Sequence, residues 1–340
     1  MGPSTEYIKD EITSCDNIED LTQALKELVP GRQKLWKDEI NRILDESGLG
    51  KSGFAKACDV SRPALDKWCN LGGLPRTREQ YIRIGMVAGF GVDEMNHFLQ
   101  RFGGYSALYP KALVDCICIY VLTHHEKDEW VQKYDEIWNR LKNEITGDFV
   151  QGSAGQIDTV LFEEKIGEVS DEEKLELFVR QNADIFKGAY SKLNSYIKVY
   201  IEFNYLENTY GVDTVQDVAE TQGWTPGLLQ CVSLIRQNKW YPARDKLISL
   251  GIHLGMNEEE INHMFELAKM EPLCAKNLYE SVILYILADA DLSDVFDKDA
   301  DGYSPDTLYY HACDILEQIR IPELESYMKE YLNAYNDEEG

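Results

Sequence analysis

The chain has 340 residues, 34 Lys or Arg against 60 Asp or Glu, a net charge of −26, and 44 % hydrophobic residues. That length accommodates about two domains, each able to bury a core, and the composition is globular rather than that of an acidic disordered chain. The charge excludes a generally basic coat for nucleic acid, since it repels phosphate at long range and leaves only a local patch for such a contact. No apolar run is longer than that of Cys116–Leu122, far short of the roughly 20 residues that a membrane span requires, so no membrane partner is expected. Eight cysteines form no C-x-x-C pair and read as reduced thiols of a cytoplasmic protein. Met1–Glu6 carries no basic region followed by an apolar core, so no signal peptide is expected.

No stretch alternates with period two, and the expected fold class is all-α, built as two tandem helical lobes. Leu35, Trp36, Ile40, Ile43 and Leu44 mark the first strongly amphipathic helix. Next comes a compact pattern over 49–70. Ser52 is placed to cap a short helix from Gly53 to Cys58, with Phe54 and Ala55 on its inner side. Asp59-Val60 make a turn. Ser61 is placed to cap a second helix, with Arg62-Pro63 in its first turn, where proline's missing N–H costs nothing. Leu65 and Trp68 then face a core, while Asp66 and Lys67 face out. Helices from Arg78 to Gly89 and from Val92 to Phe102 follow.

The run Phe54-Ala55-Lys56-Ala57-Cys58-Asp59-Val60-Ser61-Arg62-Pro63-Ala64-Leu65-Asp66-Lys67-Trp68 resembles the Xre or lambda-repressor-like helix-turn-helix family. The resemblance covers about 32–105. It implies a five-helix domain whose second motif helix enters the major groove of duplex DNA. By that likeness Ser61, Arg62 and Lys67 lie toward the bases, and Lys51, Ser52, Arg76 and Arg78 toward phosphates. Asp66 places a negative charge on the same face. Residue counts point the same way independently: 51–122 holds nine basic and six acidic residues, a basic island in an acidic chain.

Trp130, Tyr134, Ile137, Trp138, Leu141 and Ile145 mark a helix over 126–145, whose aromatic stripe suits a core or a contact between lobes or subunits. Thr146–Gly155 is small, polar and glycine-rich, and marks the join between lobes 1–145 (module core about 32–122) and 156–340. Ser170-Asp171-Glu172-Glu173 reads as a capping box opening a long helix toward Phe186.

The second lobe repeats the first. Gly85-Met86-Val87-Ala88-Gly89-Phe90 recurs as Gly251-Ile252-His253-Leu254-Gly255-Met256, and Glu94-Met95-Asn96-His97-Phe98 as Glu260-Ile261-Asn262-His263-Met264. Leu108, Lys111, Leu113, Tyr120 and Leu122 recur as Leu273, Lys276, Leu278, Tyr285 and Leu287. Upstream, Phe54-Ala55 aligns with Val218-Ala219 and Ser61 with Thr225. His97 and His263, equivalent in both copies, suggest a shared packing or capping role. The second copy has drifted: 211–287 holds six basic and ten acidic residues, with no Arg or Lys between Val212 and Ile235. Phosphate binding there lacks its main energetic source, and this lobe reads as structural or partner-binding.

Asp297-Lys298-Asp299-Ala300-Asp301-Gly302-Tyr303 matches the first half of an EF-hand loop, with Asp297, Asp299, Asp301 and the Tyr303 carbonyl as ligands for a weak calcium site over 297–308. Position twelve is Leu308 rather than Glu, and a solvated acidic loop is the competing reading. His124-His125-Glu126 closes a helix, where cationic side chains suit the dipole. No nucleophile–base constellation, phosphate cradle or zinc spacing appears, and no enzyme activity is expected. The function expected from the sequence is duplex DNA binding through residues 61–70, in a transcriptional regulator. A non-catalytic protein adaptor, an RNA- or ribonucleoprotein-binding protein using the same island, and ion-controlled sensing by the acidic lobe stay open. Self-association or a protein partner is expected for the second lobe.

Overall fold

The computed structural model describes residues 3–29, 32–75, 77–142, 158–203, 224, 226–236, 244–297, 307–319 and 321. Among these residues the regular structure is entirely helical. In chain order the helices are α1 (Thr5–Thr13), α2 (Ile18–Leu28), α3 (Arg32–Glu46), α4 (Lys51–Ala57), α5 (Arg62–Leu71), α6 (Arg78–Val87) and α7 (Val92–Phe98). A π-helical turn, Leu99–Gly103, extends α7. There follow α8 (Leu113–His124), α9 (Trp130–Leu141), α10 (Thr159–Gly167), α11 (Glu172–Gln181), α12 (Ala183–Lys187) and α13 (Ser191–Ile201). The last are α14 (Pro226–Arg236), α15 (Arg244–His253), α16 (Glu258–Leu267), α17 (Leu278–Leu292) and α18 (Thr307–Gln318). No helix among the described residues is long and apolar enough to cross a membrane.

The chain divides into two compact units, 35–191 and a split unit made of 1–34 with 192–340. The join expected at 146–155 lies outside the described residues, and the divisions fall after residues 34 and 191 instead. The apolar patterns explain why. In α8 every side chain from Asp115 to Leu122 is buried, and in α17 every one from Leu278 to Leu287. A helix buried all round needs neighbours on every side. For α8 these include the elements that follow it, α9 and α10. For α17 part of the cover comes from the far end of the chain: α1 packs on it and buries Ile8 and Ile12.

The core of the 35–191 unit centres on Trp36, whose ring lies 5.4–6.2 Å from those of Trp68, Tyr81, Phe98 and Phe102. The stripe of α9 joins the same core, with Trp130, Tyr134, Ile137 and Leu141 buried. The helix after 170 is capped by Asp171 rather than Ser170: the Asp171 carboxylate accepts from Lys174 N at 2.9 Å. It does not run unbroken to Phe186 but stops at Gln181 and restarts as α12. All eight cysteines are free, and burial pushes the Cys58 and Cys231 thiols up to about 12.

The internal repeat extends to hydrogen bonds. In the 35–191 unit Arg78 opens α6 and lies buried against Asp115 of α8, with N···O distances of 2.9 and 3.4 Å. Its remaining N–H groups donate to the carbonyls of Ser106 (2.8 Å) and Ala107 (3.3 Å). In the split unit Arg244 opens α15 and meets Glu280 of α17 at 2.6 and 2.7 Å, and donates to the carbonyls of Glu271 and Pro272. Asn96 Oδ1 accepts from Leu108 N at 2.7 Å, and Asn262 Oδ1 from Leu273 N at 2.8 Å. The shared Asn-His pair is therefore retained for its asparagine. His97 and His263 are exposed: His97 lies in the last turn of α7, and the His263 ring stands edge-on to Tyr196 at 5.0 Å and meets Glu266 at 3.1 Å.

The repeated glycines have two separate causes. Gly89 (φ 73°) and Gly255 (φ 68°) end their helices in the left-handed conformation that glycine adopts without penalty. Gly85 and Gly251 let the next helix approach: an added Cβ would lie 2.6 Å from Met95 Sδ and Cε in one copy and 2.6 Å from Ile261 Cγ1 in the other. Methionine's terminus can swing aside, whereas a β-branched side chain is stiff at that atom. Helical Gly→Ala gains about 1 kcal/mol, against an overpacking cost of about 1–3 kcal/mol. Gly85→Ala is thus expected to be near neutral, and Gly251→Ala to destabilise by roughly 1–2 kcal/mol. Urea denaturation of the two variants checks the difference, and equal costs would contradict it.

Candidate nucleic-acid interface

Helices α4 and α5 form a tight pair because each has one apolar side. Phe54 and Ala55 of α4, Cys58, and Leu65, Trp68 and Cys69 of α5 are buried. The turn between them closes with Val60 N donating to Ala55 O at 2.9 Å. Asp59 sits there at φ 54°, a conformation that Asp tolerates better than most residues. Ser61 caps α5 as the spacing implies, its Oγ accepting from Ala64 N at 3.3 Å. Ser52 does not cap α4, which starts at Lys51 after Gly50 and has no side-chain cap.

Instead, the Ser52 hydroxyl accepts from Arg62 Nη1 at 3.0 Å. Arg62 Nε lies 3.0 Å from Asp66 Oδ2, and Lys51 Nζ 3.2 Å from Asp66 Oδ1. One carboxylate thus joins two cations from two helices. The hydrogen bond from Arg62, followed by that from Lys51, holds the Asp66 carboxyl below its ordinary range. Lys67 is exposed on the next position, its stem running beside Gly73, where an added Cβ would lie 2.8 Å from Lys67 Cγ. Arg62, Pro63, Lys67 and Asn70 are exposed along α5, opposite its buried side.

Of the seven residues expected at this interface, the structure brings Lys51, Ser52 and Arg62 into one cluster, next to the Ser61 cap, with Lys67 beside it. Arg76 lies outside the described residues. Arg78 is a correction. It is 6 % exposed, and its guanidinium is committed to Asp115 and two carbonyls, so it has nothing to offer a phosphate. Arg83 is likewise turned inward, paired with Asp135 and Glu79. These losses do not erase the basic excess of 51–122, because Arg78 and Arg83 take Asp115 and Glu79 of the same stretch with them.

The counterpart helix in the second copy, α14, has a different surface. Leu228, Cys231 and Val232 are buried, while Pro226, Gln230 and Ser233 are exposed, and the sequence holds no charged residue from Pro226 to Ile235. Thr225 and the 218–219 pair lie outside the described residues. Of the expected calcium ligands, Asp299, Asp301 and Tyr303 also lie outside them, and Asp297 is the last residue described in that stretch. Among the described residues no group of three or more His, Cys, Asp or Glu side chains is placed to hold a metal ion.

The Arg62–Asp66 pair was readable as an i, i+4 spacing on a helix. The Lys51 and Ser52 interactions were not, because they depend on how closely α4 and α5 pack. Compared with family models, curated proteins and solved structures, the chain matches none.

Proposed function

We propose that the chain binds duplex DNA with α5 as the reading helix and acts as a regulator at the bound site. The observation that carries this is the two-sided character of α5. Its apolar side is locked into the core by Leu65, Trp68 and Cys69, and its open side presents Arg62, Asp66, Lys67 and Asn70 at helical spacing. Ten residues at a rise of about 1.5 Å make a rod of roughly 15 Å, and the major groove, about 12 Å wide, admits an α-helix. Arg, Lys and Asn supply donors that distinguish base edges there, while Lys51 and Ser52, beside Arg62 and Asp66, supply the phosphate contacts. The acidic remainder of the chain repels duplex and confines the contact to this patch.

A titration of the full chain against a labelled mixed-sequence duplex at several salt concentrations tests this. Two to four phosphate contacts give a log–log salt slope of about −2 to −4. Absence of binding at low salt, or a clear preference for a single-stranded or hairpin RNA, would overturn the reading.

A further inference from the structure

We infer that Asp66 is the specificity-determining residue of this interface: it holds Lys51 and Arg62 together, away from the duplex, and releases them to a duplex whose base edge offers its carboxylate an amino donor. The inference rests on the reading of α5 as the duplex-facing helix. Three features of the cluster set it apart from an ordinary surface ion pair.

It is exposed, with 45 % of the Arg62 side chain, 37 % of Asp66 and 32 % of Lys51 open to solvent. Ion pairs this open hold little of a fold together. It is also oriented against the helix. A cation stands in the first turn of α5 and the anion one turn later, the reverse of what the helix dipole and the i, i+4 preference favour. Local stability therefore does not account for it. Finally, the carboxylate stands on the flank of α5 beside its buried side, between Arg62 one turn before it and Asn70 one turn after it.

A carboxylate there has one favourable partner class in a major groove, an exocyclic amino group such as cytosine N4. Against a phosphate or a carbonyl edge it is repelled. An aspartate is ionised near neutral pH with or without these two hydrogen bonds, which only lower its proton affinity further. Non-cognate duplex must pull both cations from Asp66 and leave that carboxylate facing negative charge. A cognate site replaces the ion pairs with base contacts by Asp66 and Arg62 and a phosphate contact by Lys51.

The test compares the full wild-type chain with Asp66→Asn on mixed-sequence duplex and on a duplex enriched by selection. Asp66→Ser repeats it with a different side chain, and circular dichroism checks that each variant keeps its fold. Asp66→Asn is expected to bind the mixed duplex on the order of tenfold more tightly at low salt. Its log–log salt slope should steepen by about 1 to 2 as two cations become available. The ratio of selected to mixed affinity should fall. Asp93→Asn, an exposed charge removed from α7, should change these values far less. If Asp66→Asn leaves the mixed-duplex affinity and slope unchanged while wild-type binding is real, Asp66 has no such role and the reading of α5 stands. If neither chain binds duplex at low salt, the reading of α5 fails and this inference fails with it.

Discussion

Asp115→Asn is expected to destabilise the 35–191 unit by about 3–5 kcal/mol, because it leaves a buried guanidinium without its counter-charge. Asp115 is 0 % exposed and accepts from Arg78 and, at 2.8 Å, from Tyr109 N. The asparagine keeps the shape and one acceptor but not the charge. Arg78 would then be held only by the Ser106 and Ala107 carbonyls and by the Tyr105 ring, 5.7 Å from its Cζ. Replacing both partners, Arg78→Met with Asp115→Leu, is expected to restore part of the loss, since no charge is then buried alone. Recovery stays incomplete because the two carbonyls and the Tyr109 N–H lose their partners, at about 1–3 kcal/mol for each group left unsatisfied. Glu280→Gln should act on the split unit in the same sense through Arg244. Urea denaturation of each variant measures these changes. A cost under about 1 kcal/mol for Asp115→Asn would contradict the role given to the clamp.

The second large effect concerns binding rather than stability. Arg62→Ala combined with Lys67→Ala is expected to weaken duplex binding roughly a hundredfold or more, since each side chain that reads a base edge is worth about 1–3 kcal/mol. Both side chains are exposed and lie outside the buried core of α5, so the unfolding curve should stay close to that of wild type. This separates the pair from Arg78, whose removal would abolish any activity by unfolding its surroundings. Anisotropy with a selected duplex reads the first effect and denaturation the second. Unchanged affinity in a folded double variant would remove α5 from the interface.

Much of this architecture was legible in the residues. Apolar spacing gave the helical class, Ser61 marked the start of α5, and Leu65 and Trp68 marked its buried side. The repeated Gly-x-x-x-Gly was visible as a pattern, although its two causes, a close helix approach and a left-handed helix end, needed coordinates. Arg78 was misread because an arginine at a helix start looks solvent-facing, and its partner lies 37 residues away. A signal was nevertheless present. The second copy, which has no basic residue from Val212 to Ile235, still holds Arg244 at the position of Arg78 and Glu280 at that of Asp115. A charge pair kept where the surface charge has gone points inward.

The division of the chain was hidden for another reason. A glycine-rich stretch reads as a join only if each copy is covered by its own following segments. Helix α17 is instead covered in part by α1, from the opposite end of the sequence. Composition along the chain carries no trace of that pairing beyond the apolar stripe of Ile8 and Ile12.

The most direct measurement of the central claim is a selection from random duplexes with the full chain at low salt, run beside the Arg62→Ala, Lys67→Ala double variant. Wild type is expected to enrich a short defined sequence, and the double variant to enrich none. Enrichment of no sequence by wild type, or the same sequence enriched by both chains, would contradict the claim.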